Sequence, residues 1–298
     1  MQEQIDDFLT ELSNEHRLSA NTLDAYRSDL KQYAYFLDEK AGFTVWAKVT
    51  EIVAANYLYW LKDIGNSSAT IARKAASIRN FHHFLCRNHF ADTDPTITME
   101  VPKIKIQPPK VLTIEEVKTL LNAADQKSDT GKRDRAMLEL LYATGMRVSE
   151  LIRLDIHDLN LNLGFVSCKG TRGKERIIPI GVPSQKALAI YITAVRNKQQ
   201  IDSGEQPLFF NRQKKRLTRQ GVWKILKQNA TLGGIRTPLS PETLRQTLAA
   251  HLLERGADLE SVEELMGREK TLAARRFPGR AKRPLRDIYS RFHPRATM

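Results

Sequence analysis

A proline-rich segment limits this chain to two separately folded parts joined by a linker. The segment HFADTDPTITMEVPKIKIQPPKVLT contains Pro95, Pro102, Pro108 and Pro109. Proline lacks a backbone N–H and interrupts helices, so we expect an extended linker over residues 91–111. The length of 298 residues also fits two domains, at roughly 100–200 residues each. We therefore expect one domain at 1–90 and a second at 112–298.

The first domain is predicted to consist of four helices. Apolar residues recur at helical spacing in QIDDFLTELSNE, SANTLDAYRSDLKQYAYFLDE, TEIVAANYLYWLKDI and SSATIARKAASIRNFHHFLCRN. Ser19 or Asn21 is the candidate N-cap of the second helix. The fourth helix carries Arg73, Lys74 and Arg79. We expect these cations to bind the phosphate backbone of DNA, because a basic all-helical domain of this size suits that role.

The end of the fourth helix, FHHFLCRNH, suggests a metal site at first reading. It contains His82, His83, Cys86 and His89. Adjacent histidines on a helix point in different directions, which is a poor arrangement for ligands of one ion. We interpret these histidines as side chains on a polar helix face and expect no bound metal.

Composition narrows the class of partner and the compartment. With 41% hydrophobic and 27% charged residues, the chain has the composition of a globular protein. Its net charge of +13 favours a polyanionic partner, most simply nucleic acid. Cys86 and Cys168 are too far apart for a CxxC pair or a disulfide framework, which favours the reducing cytoplasm. We find no run of about 20 apolar residues and expect no membrane span.

The second domain is predicted to be mainly helical with a small β element. Thr113 and Glu116 form a capping-box pattern at the start of its first helix. The stretch GFVSCKGTRGKERIIPIG alternates around a glycine-rich turn and predicts a β-hairpin. Further helices are expected at 183–198, 218–230, 240–255 and 258–267. The expected fold is therefore mainly α, with an α+β second domain.

Five segments of the second domain occur in one order and point to a family. They are ATGMRVSELIRLDIHDLNL, KERIIPIG, RQGVWKILK, LSPETLRQTLAAHLLERGADLESVEELMG and RDIYSRFHPRA. Together they resemble the Xer-type tyrosine recombinases, and LSANTLDAYRSDLKQYAYFL resembles the helices of that family's core-binding domain. The resemblance covers nearly the whole chain.

The resemblance implies a function in DNA recombination. It implies a two-domain clamp on a double-stranded DNA recombination site, and a tetrameric synapse formed with itself or with a related recombinase. In the family, a tyrosine cleaves one strand through a 3′-phosphotyrosyl intermediate, without a metal or another cofactor. The family's roles are DNA integration and the resolution of chromosome or plasmid dimers.

Two arginines and the hairpin carry the family's phosphate-binding pattern. Arg147 in TGMRVSEL and Arg245 in TLRQT match its two catalytic arginines. Arginine suits this task because its planar fork matches the phosphate oxygens and offsets the charge that builds on them. Lys174 and Arg176, at the end of the hairpin turn, are expected to contact DNA.

Other catalytic positions of the family are substituted here. Thr171 stands where the family has the lysine that protonates the leaving oxygen. Lys169 lies two residues earlier on the same strand face and is the candidate replacement. Glu242 and Arg268 stand where the family has histidines. Arginine still donates to phosphate, but it does not exchange protons near neutral pH.

The position of the nucleophile decides whether the protein cleaves DNA. In the family the nucleophile lies about nine residues after the second histidine and about twelve before a tail tyrosine. Applied to Arg268 and to Tyr289, both spacings lead to Phe277, which has no hydroxyl. Loss of a nucleophile costs on the order of 10⁶ in rate in a serine protease. We therefore expect a recombinase-type DNA-binding protein that is deficient in cleavage. Two alternatives stay open: an active recombinase that uses Tyr289 with Lys169 and Arg268, or a non-catalytic partner of an active recombinase.

The C-terminal segment LRDIYSRFHPRATM is a candidate docking tail. Leu285, Ile288, Tyr289 and Phe292 recur at helical spacing. In the family this region docks on a neighbouring subunit. The alternative is a helix folded on its own domain.

Overall fold

The structure, a computed structural model, describes residues 1–16, 18–102, 110–170, 175–198, 206–267 and 285–296. The chain forms two compact units, Met1–Gln107 and Pro108–Met298, called here the N-terminal and C-terminal units. Helices predominate in both. Across the described part of the chain, no helix combines the length and hydropathy that a membrane span requires.

The N-terminal unit contains the four predicted helices. They are α1 (Gln2–His16), α2 (Ala20–Glu39), α3 (Glu51–Asp63) and α4 (Ser68–Arg87), with a 3₁₀ turn at Trp46–Lys48. Of the two candidate N-caps of α2, Ser19 takes the role, because its hydroxyl accepts a hydrogen bond from the backbone N–H of Thr22. Ser67 caps α4 in the same way.

An aromatic cluster fills the core of the N-terminal unit. The rings of Tyr33 and Tyr57 lie 4.7 Å apart, and those of Trp46 and Phe81 lie 4.8 Å apart. His82 is fully buried among them, with its Nε2 3.1 Å from the hydroxyl of Tyr33. Burial lowers the pKa of His82 to about 4, so the ring is neutral at pH 7.

The placement of His82 corrects the expectation that the α4 histidines share a polar face. His83 is exposed as expected, but His82 points inward next to Phe81. The hydroxyl of Tyr33 gives the imidazole a hydrogen-bond partner in the core, which makes the burial of a polar ring tolerable.

Residues 91–102, which the sequence places in the extended linker, pack onto the N-terminal unit. Ala91 and Met99 are buried in its core. Asp94 accepts hydrogen bonds from the backbone and the hydroxyl of Thr96, which closes a turn. The apolar side chains of this stretch account for the difference, because they gain more from burial than from an extended path in water.

The C-terminal unit holds the remaining elements. Its helices are α5 (Ile114–Asn122), α6 (Asp129–Thr144), α7 (Val148–Leu151), α8 (Val182–Ala194), α9 (Arg219–Leu232), α10 (Pro241–Glu254), α11 (Leu259–Leu265) and α12 (Leu285–Phe292). The Thr113–Glu116 capping box at the start of α5 is present. Helices α8 to α11 confirm the four predicted from helical spacing. Short 3₁₀ turns lie at Ile156–Asp158 and Arg196–Lys198.

The predicted hairpin is part of a three-stranded antiparallel sheet. Strands β1 (Leu159–Asn160), β2 (Phe165–Lys169) and β3 (Glu175–Pro179) follow that order in the sheet. Across the hairpin, Cys168 pairs with Arg176. Val166 and Cys168 are buried, so this face of β2 meets the core.

Helix α6 runs through the core of the C-terminal unit and ends at the TGMR motif, residues 144–147. Gly145 ends it with φ 56°, the left-handed conformation that glycine adopts without strain. A Cβ at Gly145 would lie 2.6 Å from the sulfur of Met266. This close approach joins the end of α6 to the segment after α11, and it sets the position of Arg147 two residues later.

Helix α12 folds onto its own unit. Ile288 and Tyr289 are buried, and the backbone N–H of Gly181 donates to the Tyr289 hydroxyl at 2.8 Å. The ring of His293 stacks on Tyr289 at 4.2 Å. Arg295 forms an ion pair with buried Glu139 at 2.5 Å. In the isolated chain this segment therefore adopts the second alternative, and docking on a neighbouring subunit stays a prediction.

Candidate phosphate-binding site

Arg147 occupies the start of α7, directly after the turn at Gly145. Its backbone N–H donates to Glu150 Oε2 at 2.7 Å, and its Nη1 lies 3.3 Å from Glu150 Oε1. The side chain keeps 37% of its surface exposed. The guanidinium is therefore held by one carboxylate and still reaches solvent, where a phosphate could meet it.

Arg245 lies on α10, one turn after the first helical residue, Pro241, and is 3% exposed. Its guanidinium donates to the backbone oxygens of Gly145 and Met266. Burial lowers the pKa of Arg245 to about 10, and repulsion from Arg147 adds to the effect. The group stays charged near neutral pH and is held rigidly by two segments.

One surface cavity of about 600 Å³ brings the two arginines together. Glu242, exposed in the first turn of α10, shares it, and α9 contributes Arg219 and Trp223. The charge of Glu242 offsets part of the lowering of the Arg245 pKa that burial and Arg147 cause. The cavity can hold a phosphodiester between two guanidinium groups, but its carboxylate repels the same anion.

Glu150 has a place in the site that its position in the TGMRVSEL motif did not reveal. It is 3% exposed and accepts from both ends of the Arg176 guanidinium, at 2.9 Å each. Burial raises its pKa, but hydrogen bonds from Arg176 and from the backbone of Arg147 outweigh burial, so the pKa is lowered. A capping glutamate three residues after Arg147 was the available signal.

Arg176 does not have the exposure expected of a DNA contact. Its side chain is 13% exposed, and its fork is occupied by Glu150. The physical reason is the register of the hairpin, which places Arg176 opposite Cys168 on the buried face of the sheet.

Lys169 lies on the other face of β2. Side chains alternate along a strand, so the buried Cys168 and the exposed Lys169 point in opposite directions. The face of Cys168 is the one that meets Glu150 and Arg176. This geometry does not support Lys169 as the replacement proton donor.

The basic residues of α4 are bound within the N-terminal unit. Arg73 and Lys74 both pair with Asp29, which is 1% exposed. Lys74 is itself buried, which differs from the expected surface contact with DNA, whereas half of the Arg73 side chain is exposed. Arg79 donates to the backbone oxygen of Met99 at 3.0 Å.

Four predicted site positions lie outside the described residues: Thr171, Lys174, Arg268 and Phe277. Their roles stay predictions. Tyr289, the alternative nucleophile, is described and is a packing residue. It is 4% exposed, burial raises its pKa, and its hydroxyl is bonded to Gly181. These contacts contradict its use as a nucleophile in this conformation.

A cluster of potential metal ligands lies at the 3₁₀ turn Ile156–Asp158. Potential ligand atoms of Asp155, His157 and Asp158 lie within 4.8 Å of one another. Arg216 already pairs with Asp155 at 2.6 Å, and Asp158 accepts from the backbone N–H of Asp155 at 2.8 Å. These contacts account for the two carboxylates without an ion.

Two segments that together span most of the chain match known protein families. Residues 5–89 match the phage integrase, N-terminal SAM-like domain, and residues 110–276 match the phage integrase family. The chain belongs to the phage integrase family, as a Xer-type tyrosine recombinase.

Relatives of this recombinase family align over nearly the full chain. Tyrosine recombinase XerD of Halalkalibacterium halodurans is 44% identical, covering 95% of this chain and 94% of that protein. Tyrosine recombinase XerD of Staphylococcus epidermidis is 42% identical, covering 98% and 99%. The predicted family is confirmed.

Solved recombinase structures share the fold. XerH site-specific recombinase bound to a palindromic difH substrate has a TM-score of 0.71 at 19% identity, covering 99% of this chain and 82% of that one. A lambda integrase tetramer bound to a Holliday junction has a TM-score of 0.70 at 18% identity, covering 95% and 79%. The mainly helical, two-domain fold class is confirmed.

Proposed function

We propose that this protein binds a double-stranded DNA recombination site as a Xer-type site-specific recombinase. The observation that carries the proposal is the convergence of Arg147 and Arg245 in one cavity of a chain that belongs to this family. Two guanidinium groups on one cavity wall suit a single phosphodiester. Arg73, half exposed on the N-terminal unit, supports a second contact to the DNA backbone.

The biological setting follows from the relatives. The XerH and lambda integrase structures hold recombination-site DNA or a Holliday junction, the latter in a tetramer. We infer that this chain assembles as a tetrameric synapse with itself or with a related recombinase. Its role would be DNA integration or recombination and the resolution of chromosome or plasmid dimers. We propose that it acts in the cytoplasm, where such DNA is found.

Strand cleavage is proposed to be deficient. Phe277 offers no hydroxyl at the nucleophile position of the family. Glu242 puts a negative charge into the cavity that would bind the scissile phosphate. The two described candidates for compensation do not face this cavity, since Lys169 lies on the exposed face of β2 and Tyr289 is buried against Gly181.

A suicide-substrate assay tests the proposal directly. A nicked duplex carrying the recombination site of an active Xer relative is incubated with this protein, with that relative and with both together. We expect a shifted DNA complex and no covalent protein–DNA band from this protein alone. A covalent band that Tyr289→Phe removes would show an active enzyme and overturn the proposed deficiency. No shifted complex at low salt would overturn DNA binding itself.

The mixed incubation separates two versions of a cleavage-deficient protein. If this chain acts as a partner, it should raise the yield or alter the strand choice of the active relative on the shared site. If it only occupies the site, it should inhibit the relative in proportion to its concentration.

A further inference from the structure

Arg176 joins three segments that surround the phosphate-binding cavity. It belongs to β3, its fork binds Glu150 of α7, and its guanidinium lies against the backbone of Gly267 after α11. The bidentate ion pair with Glu150 offsets the burial of the charge, while the Arg176 Nε is buried without a hydrogen-bond partner among the described residues.

The contact with Glu150 leads directly to Arg147. One carboxylate accepts two bonds from Arg176 and two from Arg147, one of them from the Arg147 backbone. Glu150 has a fixed orientation because the Arg176 fork is bidentate. A change at Arg176 would leave the buried carboxylate with Arg147 as its only cation besides the hydrogen bond of the Cys168 thiol, and Arg147 would be drawn toward it.

The contact with Gly267 leads to Arg245. A Cβ at Gly267 would lie 2.6 Å from Arg176 Nη1, which leaves no room for a side chain. Gly267 also has φ 64°, a backbone conformation that favours glycine. The preceding residue, Met266, accepts a hydrogen bond from Arg245. The Arg176 guanidinium therefore lies between Glu150, which binds Arg147, and the Met266–Gly267 backbone, which binds Arg245.

We propose that Arg176 is a positioning residue that holds Arg147 in place for the DNA phosphate and does not contact the phosphate itself. The proposal rests on the proposed function, because it takes Arg147 to bind DNA. The buried face of the hairpin would then help to orient Arg147 in the cavity.

A double-mutant cycle on DNA affinity provides the first test. Arg147→Gln should weaken binding about tenfold in the otherwise unchanged protein, the size of one charge-assisted hydrogen bond. In an Arg176→Gln background the same change should cost less than about twofold, because Arg147 is already misplaced. Arg176→Lys, which keeps the charge and loses the fork, should behave like Arg176→Gln.

The matched control is Arg236→Gln, which removes an equal charge from an exposed arginine of the same unit. In that background Arg147→Gln should keep its cost of about tenfold, as expected for independent sites. If Arg147→Gln weakens DNA binding about tenfold in the Arg176→Gln background as well, the proposal is overturned. It is also overturned if Arg147→Gln has its full tenfold effect on DNA affinity in the Arg176→Lys background.

Cys168 provides a second test that does not involve DNA. Burial raises the pKa of its thiol to about 12, and it lies opposite Arg176 in the hairpin. In a Cys86→Ser background, which leaves a single thiol, a disulfide reagent reports how often the hairpin opens from α7. Arg176→Gln should speed the reaction on the order of tenfold or more. The charge of Arg176 lowers the pKa of the thiol, so its removal by itself would slow the reaction, and a faster reaction reports opening of the hairpin.

The two tests separate failure of the inference from failure of the proposed function. If Arg147→Gln has no effect on DNA affinity, DNA binding through this cavity is wrong, and the thiol rates still decide whether Arg176 holds the hairpin. If Arg176→Gln leaves the thiol rate unchanged, the positioning role is wrong. Gly267→Ala adds a Cβ that would collide with the Arg176 guanidinium and displace it. This independent variant should therefore also speed the thiol reaction.

Discussion

At the scale of single residues, buried polar groups with hydrogen-bond partners constrain how the elements of this protein pack. His82, Glu150 and Arg245 are each at most 3% exposed, and each has a hydrogen-bond partner from a distant part of the chain or from a neighbouring element. Burying such groups costs free energy unless they are paired. Each of them therefore stabilises one arrangement of its neighbours over others.

His82 should make the N-terminal unit sensitive to acid. Its pKa is lowered to about 4 by burial, whereas an unfolded histidine has a pKa of about 6.5. Between pH 6.5 and 4, His82 is protonated in the unfolded chain but stays neutral in the folded chain. The stability that neutral His82 contributes is complete above pH 6.5 and is lost as the pH falls toward 4, by on the order of 3 kcal/mol.

Urea unfolding of the full chain, followed by tryptophan fluorescence, measures this effect. The measurement is made in a Trp223→Phe background, because Trp223 belongs to α9 of the C-terminal unit. The remaining tryptophans, Trp46 and Trp60, lie in the N-terminal unit and report its unfolding. His82→Phe should flatten the pH dependence between 6.5 and 4. His83→Gln, on the exposed neighbour, should leave it unchanged. An equal pH dependence in both variants would contradict the assignment to His82.

Gly145 should be intolerant of a side chain. At φ 56° an alanine is strained by about 1 kcal/mol, and its Cβ would also collide with Met266 and Leu248. Gly145→Ala is expected to lower the free energy of unfolding by roughly 2–4 kcal/mol, since overpacking adds to strain. The matched control is Gly234→Ala, which has φ 66° and open space around the new Cβ. Equal losses in chemical unfolding would mean that contact with Met266 is unimportant.

At the scale of elements, the sequence patterns of the β2–β3 hairpin and of α12 predicted an apolar face but not what covers it. The hairpin puts Cys168 and Arg176 on the core and Lys169 on the outside. Helix α12 packs against its own unit through Ile288 and Tyr289. In both cases the amphipathic pattern was right, but the surface that covers the apolar face belongs to a remote segment.

The docking of α12 can be tested at one hydrogen bond. Tyr289→Phe keeps the ring and its stacking on His293 but removes the oxygen that accepts from Gly181. The buried N–H of Gly181 is then left without that partner, so we expect a loss of about 1–3 kcal/mol in the free energy of unfolding. Ser290→Ala, on the exposed side of the same helix, is the control. Unchanged stability of Tyr289→Phe would show that α12 is not docked as described.

At the scale of the whole molecule, the charge of +13 is shared by two units, each of which has basic residues in reach of solvent. Arg73 belongs to the first and Arg147 to the second. This distribution suits a protein whose two units both contribute to binding one polyanion.

DNA binding should therefore weaken steeply with salt. The logarithm of the association constant should fall linearly with the logarithm of salt concentration, by about 0.9 for each phosphate contact. Arg147→Gln should reduce that slope by about 0.9, whereas Arg176→Gln in an Arg147→Gln background should reduce it no further. Fluorescence anisotropy on a labelled duplex measures all three slopes. A slope near zero for the unmodified protein would exclude a phosphate-based clamp.

Much of the fold and part of the site could be read from local sequence patterns. Helical spacing, the caps at Ser19 and Thr113, and the alternation around the hairpin are determined by neighbours in the chain, so they were visible without coordinates. The motifs around Arg147 and Arg245 identified the family for the same reason.

The placement of side chains across elements could not be read in this way. Hydrogen bonds such as Tyr33–His82 and Arg176–Glu150 join residues 49 and 26 positions apart. Periodicity states that a face is apolar or polar, but it does not state which partner covers that face. Burial of His82, of Lys74 and of the hairpin's inner face depends on packing between remote segments, where the cost of removing water from a polar group is balanced by a partner that no local pattern contains.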